Sequence, residues 1–266
     1  MSTPFPRKLA VVTGASSGIG AVYADRLAAR GYDLLLIARR RERLDEAAGR
    51  IATAHGRKVE ILVADLADPA GLSRVADDLA ARGDIDILVN NAGIARFSPI
   101  AKGDAADSAA QIALNITALT RLTHAVMPGF VARDRGTIIN IASVLSVEAR
   151  PFSAVYSGTK AYVMLFSRGL QAELAGTGVR VHSVHPSITA TEIWDLGGIP
   201  LESLEAGKVM KTETMVDAAL AGFDRGEAFT WPSVADEALW TTFDAAREAL
   251  FAASQTGTPA PRYAAA

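Results

Sequence analysis

Thr13-Gly14-Ala15-Ser16-Ser17-Gly18-Ile19-Gly20 follows an apolar run at residues 9–13 and opens a helix-length stretch at 18–30. A short continuous apolar run bounded by glycine reads as a buried strand, so these residues form a strand-to-helix turn. At such a turn Gly14, Gly18 and Gly20 remove side chains that would keep a phosphate away from backbone. The first helical amides, aided by the helix dipole, then face negative charge, with Ser16, Ser17 and Ile19 sharing the loop. A tight turn needing glycine for its own geometry looks the same. Its place at the first strand-helix junction favours a dinucleotide pyrophosphate.

Moving outward, the run at 33–38 ends in Ala38 and is followed by Arg39, Arg40 and Arg41. A carboxylate there would hold a ribose diol and repel a 2′-phosphate, whereas a guanidinium makes paired hydrogen bonds to phosphate. NADP(H) is therefore favoured over NAD(H), with Arg39 and Arg40 as the phosphate readers; Arg41 and Arg43 read equally well as a solvated basic edge. Further strand-like runs occupy 58–64, 85–90, 137–141 and 180–184, with a short one near 228–231. Their alternation with helix-length segments predicts an α/β fold: a single Rossmann-like domain with a doubly wound, mostly parallel seven-stranded sheet and helices on both faces. Helices are expected over 18–30, 41–54, 105–131, 155–175, 213–224 and 234–252, and a mobile loop with short helices over 191–211. One domain spanning 1–266 divides into a cofactor-binding half (8–135), a catalytic half with a substrate loop (136–212), closing elements (213–253) and a tail (254–266).

Composition narrows the partners. With 27 basic and 29 acidic residues the formal charge is −2, which leaves no broad electrostatic footprint for nucleic acid or an anionic membrane. There are no cysteines, so disulfides, thiol catalysis and thiolate metal sites are excluded together, and the four histidines are dispersed without a metal-ligand spacing. No apolar run approaches the roughly 20 residues needed to span a bilayer, and residues 1–8 lack the apolar core of a signal peptide. A cytoplasmic protein acting on a small molecule is the expectation. Asn115-Ile116-Thr117 spells a glycosylation sequon, read as coincidence in that setting.

Tyr156 and Lys160 are four apart and would share a helix face. A free phenol, with a pKa of about 10, is a poor base near neutrality, but an adjacent positive charge favours the phenolate. Alone, such a pair is most often solvated helix surface. Together with the glycine loop, Asp65-Leu66, Asn90-Asn91-Ala92-Gly93, Asn115 and Ser143, it resembles the short-chain dehydrogenase/reductase family over residues 9–191.

The resemblance implies a hydride-transferring oxidoreductase with Asn115, Ser143, Tyr156 and Lys160 as its catalytic tetrad. Tyr156 would exchange a proton with the substrate oxygen, Ser143 would hydrogen-bond that oxygen, Lys160 would lower the tyrosine pKa and bind the nicotinamide ribose, and Asn115 would hold a water leading to Lys160. Asp65 and Leu66 would contact adenine; Asn91, Ala92 and Gly93 belong to the strand-four signature. Where the family usually has Pro-Gly this chain has Pro186-Ser187, and the nicotinamide amide is expected near Pro186, Ile188, Thr189 and Thr191. The C-terminal quarter lacks the glycine-rich ending of many ketoacyl reductases, which argues against a carrier-bound ketoacyl substrate.

A substrate pocket is expected above Ser143 and Tyr156, bordered by Ile94, Leu145, Val147, Ile193 and Trp194. These apolar residues serve core packing equally well. They favour an uncharged carbonyl or secondary alcohol, unless Arg96 or Arg150 reaches into the pocket. The rival is a non-catalytic NADP(H)-binding regulatory or scaffold protein of the same fold, against which the intact tetrad argues. The family further implies a homodimer or homotetramer built on the helices at 105–131 and 155–175.

Overall fold

The strands are β1 (Leu9–Thr13), β2 (Asp33–Ala38), β3 (Val59–Val63), β4 (Ile85–Asn90), β5 (Gly136–Ile141), β6 (Val179–Val184) and β7 (Phe229–Thr230). They form one sheet in the order β3-β2-β1-β4-β5-β6-β7, every neighbouring pair parallel. This computed structural model describes residues 8–263; the segment before Lys8 and the closing Ala264, Ala265 and Ala266 lie outside the described residues. Two compact units result, one ending at Pro232 and one beginning at Ser233.

Both sheet faces are covered, which explains why the strands are apolar throughout rather than alternating. On one face Val11, Leu35, Leu88 and Ile138 pack with Leu72 and Val75 of α3 (Pro69–Ala81) and with Leu122, Val126 and Phe130 of α5 (Leu119–Ala132). On the other, Val12, Leu36, Val89 and Ile139 meet Tyr23 and Leu27 of α1 (Gly18–Ala29), Leu44 and Ile51 of α2 (Arg41–His55), and Met215 and Leu220 of α8 (Thr212–Asp224). The alternation within each strand sends successive side chains to opposite layers. α3 starts where the local chemistry requires it: Asp68 accepts from the Gly71 amide at 2.7 Å, and Pro69 takes the first helical position.

Two regions differ from the sequence reading. The helix expected over 105–131 is α4 (Ala105–Ile112) and α5, joined by a π-helical segment, Ala113–Ala118. A widened turn leaves hydrophobic periodicity almost intact, so it is invisible in the pattern, and such turns cluster at functional sites. It carries Asn115. The loop after β6 holds a single α-helical turn, α7 (Ile193–Leu196), and short 3-10 turns at Leu201–Ser203 and Ala206–Lys208. α6 (Ala154–Glu173) presents Tyr156 and Lys160. In the second unit α9 (Glu237–Ser254) is capped by Asp236, which accepts from the Ala238 amide at 3.0 Å.

A buried polar ladder ties the elements that carry the site. Asn90 Nδ2 donates to Thr123 Oγ1 and to Asn140 Oδ1, both at 3.0 Å; Asn140 Nδ2 donates to Ser167 Oγ at 2.9 Å, and that hydroxyl to the Val163 carbonyl at 2.7 Å. Asn140 is wholly buried. Asn140→Ala strips partners from Asn90 and Ser167 and leaves a void; since unsatisfied buried groups cost about 1–3 kcal/mol each, the variant is expected to lose about 2 kcal/mol or more, measured by urea unfolding.

Candidate active site

The first βα turn is held against the end of β4 by two side chains. Thr13 Oγ1 donates to the Val89 carbonyl at 3.1 Å and accepts from the Asn91 and Ala92 amides, each at 3.0 Å. Asn91 Nδ2 returns across the gap to the Thr13 carbonyl at 2.9 Å and the Gly14 carbonyl at 3.3 Å. Gly14 has φ +66°, and a Cβ at Gly20 would lie 2.5 Å from both Asn91 Nδ2 and the Gly14 carbonyl oxygen. These two glycines are thus required by packing of the loop on β4 as well as by any approaching ligand, which refines the reading from sequence. α1 then begins behind Ser17, an extended residue whose side chain caps nothing, so the first amides of the helix keep their free direction.

From this turn a cleft of about 720 Å³ runs between the ends of β1 and β4 to Tyr156. It lies where the strand order reverses, the place where parallel sheets of this kind bind ligands. Ser16, Ser17, Gly18, Ile19, Arg39, Arg40, Asp65 and Leu66 line one end, and Asn91, Ala92 and Gly93 the middle. Pro186, Ile188, Thr189 and Thr191 close its far wall, and Ile94, Leu145, Ile193 and Trp194 border the end nearest Tyr156. Among the sequence-predicted residues Gly20, Asn115 and Val147 stay outside this lining: Gly20 and Asn115 act behind it, and Val147 is exposed. Asp65 accepts from the Ala67 amide at 2.9 Å, and Asp68 caps α3.

The arginines separate into two roles. Arg40 donates to Ser17 Oγ at 2.9 Å, to Ser16 Oγ at 3.2 Å and to Glu192 Oε2 at 2.9 Å, and Arg43 reaches the other Glu192 oxygen at 2.5 Å. Arg43 and then Arg40 hold the Glu192 carboxyl below the usual carboxylate range. Arg39 is 63% exposed and lies 3.7 Å from Asp65. Glu192 carried no periodic or motif signal in the sequence, and only the fold brings it across to α2.

At the other end Tyr156 and Lys160 are both buried on α6. Ser143 neighbours Tyr156 in the lining of the cleft, and its Oγ accepts from the Leu145 amide at 3.1 Å. The Lys160 ammonium donates to the Ile141 carbonyl at 2.7 Å and lies 5.7 Å from the centre of the Tyr156 ring. In place of the lowering expected from the spacing, burial pushes Tyr156 up to about 12, with the neighbouring Ser143 hydroxyl pulling the other way. Burial also pushes Lys160 down to about 8. Asn115 is committed on both sides, its Oδ1 accepting from the Ile94 amide at 2.9 Å and its Nδ2 donating to the Ile94 carbonyl at 2.9 Å and to Thr159 Oγ1 at 3.1 Å. Its side chain therefore braces the β4 loop against α6.

Phe97 went unnoticed in the sequence, being one apolar residue in an irregular loop. Its ring stands edge-on to Tyr156 at 5.5 Å and stacks on Trp194 at 5.7 Å, making an aromatic wall. Trp194 is fixed by donating to the Thr189 carbonyl at 2.9 Å. Arg96 is occupied by the carbonyls of Ala95 and Leu196 and by Asp107 at 3.4 Å. Among the described residues no group of three His, Cys, Asp or Glu is placed to hold a metal ion, and no helix is long and apolar enough to cross a membrane.

Residues 8–196 match the profile of the family described as short chain dehydrogenase. A short-chain dehydrogenase from Sphingobium yanoikuyae, solved with NADPH, is 43% identical with a TM-score of 0.93, covering 96% of this chain and 99% of its own. A bulky-bulky ketone specific alcohol dehydrogenase from Comamonas testosteroni is 35% identical with a TM-score of 0.89, covering 99% of this chain and all of its own. A very-long-chain 3-oxoacyl-CoA reductase of Anas platyrhynchos is 39% identical over 189 residues, 69% of this chain but 60% of that protein, so the chain spans well under two thirds of that relative's length. With the all-parallel sheet and the cleft at its switch point, these likenesses establish that the chain belongs to the short-chain dehydrogenase family of oxidoreductases.

Proposed function

We propose that this chain transfers hydride between NADP(H) and an uncharged, bulky carbonyl or the corresponding secondary alcohol. The observation that carries the reading is that Ser143, Tyr156 and Lys160 line the end of the same cleft that begins at the glycine loop. The residues suit the cofactor: uncapped amides at the start of α1, the hydroxyls of Ser16 and Ser17, and an exposed guanidinium beside Asp65 fit a polyanionic dinucleotide. When bound, NADP(H) supplies or accepts the hydride.

The chain's own part is to position and to move a proton. Ser143 Oγ and the Tyr156 hydroxyl converge on the position of a substrate oxygen. With its pKa raised, Tyr156 keeps its proton at neutral pH and acts as general acid in reduction. The Lys160 ammonium stabilises the phenolate left behind, and Asn115 holds the β4 loop against α6 so that this arrangement persists. The aromatic wall of Phe97 and Trp194, together with the engagement of Arg96, supports a bulky apolar substrate, as does the likeness to the bulky-ketone enzyme. The exposed Ile112 and Leu165, on α4 and α6, support a homodimer or homotetramer through that side. A non-catalytic role is kept in view by 36% identity to the inactive hydroxysteroid dehydrogenase-like protein 1 of Homo sapiens.

A panel of aliphatic, aryl-alkyl and diaryl ketones assayed with NADPH tests the reading. Tyr156→Phe is expected to lower the rate on the best ketone by about 100-fold or more while NADPH still binds; an unchanged rate would refute the acid role, and no turnover by the unaltered chain across the panel would favour the scaffold. Arg39→Gln removes a charge-assisted hydrogen bond to the 2′-phosphate, so the Kd for NADPH should rise about 10- to 100-fold while that for NADH moves little, measured by nicotinamide fluorescence. Tighter NADH than NADPH binding by the unaltered chain would overturn the assignment. The pH profile has a definite sign: the ketone-reduction rate should hold from pH 6 to 7 and fall as pH rises through about 8, where Lys160 loses its charge. Lys160→Met should remove that limb.

A further inference from the structure

The turn that offers Ser143 to Tyr156 rests on a buried histidine. β5 and β6 are joined beyond their ends by the Ala142 amide donating to the Val184 carbonyl at 2.8 Å and the Val144 amide to the Pro186 carbonyl at 3.0 Å, which places His185 directly beneath the turn at 143–146. Ser146 Oγ donates to the Ser143 carbonyl at 2.6 Å, and the same oxygen lies 2.9 Å from His185 Nδ1. A hydroxyl has one proton. With that proton on the Ser143 carbonyl, the second contact is formed by Nδ1–H donating to Ser146 Oγ, and this N–H also faces the Ser143 carbonyl at 3.3 Å. His185 Nε2 is then the lone pair, accepting from Ser183 Oγ at 3.0 Å. The tautomer is thereby fixed by the network.

His185 and Ser183 are wholly buried and Ser146 is 5% exposed, so no solvent competes for these bonds. The imidazole is stacked on Trp231 at 4.1 Å with an interplanar angle of 18°, which sets the ring plane and ties the turn to the β7 edge of the sheet. Burial pushes the His185 pKa down to about 3, so the ring is neutral wherever the protein functions, with His182 and Lys160 nearby disfavouring charge as well.

We infer that His185, as its Nδ1–H tautomer, is the positioning residue of the site: by donating to Ser146 and the Ser143 carbonyl it holds the turn from which the Ser143 hydroxyl meets Tyr156. The inference rests on the reading of Ser143 and Tyr156 as the pair that binds the substrate oxygen. His185 touches neither substrate nor cofactor. Its loss should lower kcat with little change in NADPH affinity, because a misplacement of about 1 Å at a reacting group costs on the order of 100-fold.

Two substitutions remove the same ring and differ in where they carry an amide. In His185→Asn the side-chain NH₂ can occupy the position of Nδ1–H and keep the donor; in His185→Gln the amide reaches the Nε2 position and the donor is lost. His185→Gln is expected to lower kcat on the best ketone of the panel about 100-fold, and His185→Asn to recover most of it, with both binding NADPH normally and melting alike. Hydrogen exchange of peptides spanning 141–148 should be faster in His185→Gln than in His185→Asn. Equal kcat and equal exchange in the two variants, or wild-type kcat in His185→Gln, would overturn the inference. Should either variant fail to fold, Ser146→Ala deletes the same link with a smaller change; it is expected to lower kcat and speed exchange at 141–148, and wild-type values for both would overturn it. Tyr156→Phe separates the two levels: full activity there sinks the parent reading, whereas an inactive Tyr156→Phe beside a fully active His185→Gln sinks only the role of His185. If no ketone is turned over, the exchange comparison alone decides the positioning.

Discussion

Everything about the cleft depends on how closely the first βα turn is drawn to the end of β4. β1 has β2 on one side and β4 on the other, and helices leave these strands toward opposite faces, so a crevice opens at that point by topology alone. Its width is set by Thr13 and Asn91. One hydroxyl accepts two successive amides, and one carboxamide spans to two carbonyls of the facing turn. Backbone comes so near to backbone that a single methyl group at Gly20 has no room. The bonds satisfy groups at strand ends that the sheet ladder cannot reach, and in doing so they fix the one surface where helix amides, loop hydroxyls and an arginine can face a common anion.

The other half of the site is governed by desolvation. Tyr156 and Lys160 are neighbours on α6, yet burial moves each of them toward its neutral form, the phenol up and the amine down. Proximity of a charge does not by itself make a tyrosine basic when both groups have left water. At neutral pH the phenol therefore keeps its proton, and the amine lies close enough to neutrality for pH to act on it. Lys160 Nζ donates to the Ile141 carbonyl, at the end of the same strand that leads into Ser143. Tyr156, Ser143 and Lys160 are thus gathered at a single strand end.

How much of this was legible in the sequence follows from the range of the interactions. The sheet was readable because both of its faces are buried, so each strand announces itself as an unbroken apolar run between glycines and polar turns. The glycine loop, Asn115, Ser143, Tyr156 and Lys160 were readable because their spacing is repeated in a family. Phe97, Glu192 and His185 were not. Each acts through a partner far away in the chain, Phe97 through Trp194, Glu192 through Arg40 and His185 through Ser146 and Trp231. Neither helical nor strand periodicity records such pairings. The π-helical turn was hidden for a different reason: it adds a small local excess of backbone within a helix whose apolar stripe continues on either side, and it carries Asn115, bonded to Ile94 and Thr159.

These long-range pairings join the two ends of the cleft. Glu192 binds Arg40, which binds the glycine-loop serines, and two residues later Trp194 stacks on Phe97, which stands against Tyr156. The segment after β6 is therefore linked, through Arg40 and Phe97, to the glycine-loop end and the Tyr156 end at once. An exposed ion pair contributes little stability by itself, about 0–1 kcal/mol. Here its consequence is geometric: with Glu192 anchored, the short helix α7 has little freedom, and Trp194, bonded to the Thr189 carbonyl, is held at the pocket wall. Arg40 thereby serves the loop geometry while Arg39 stays exposed beside Asp65, a division between adjacent arginines that their sequence position alone does not reveal.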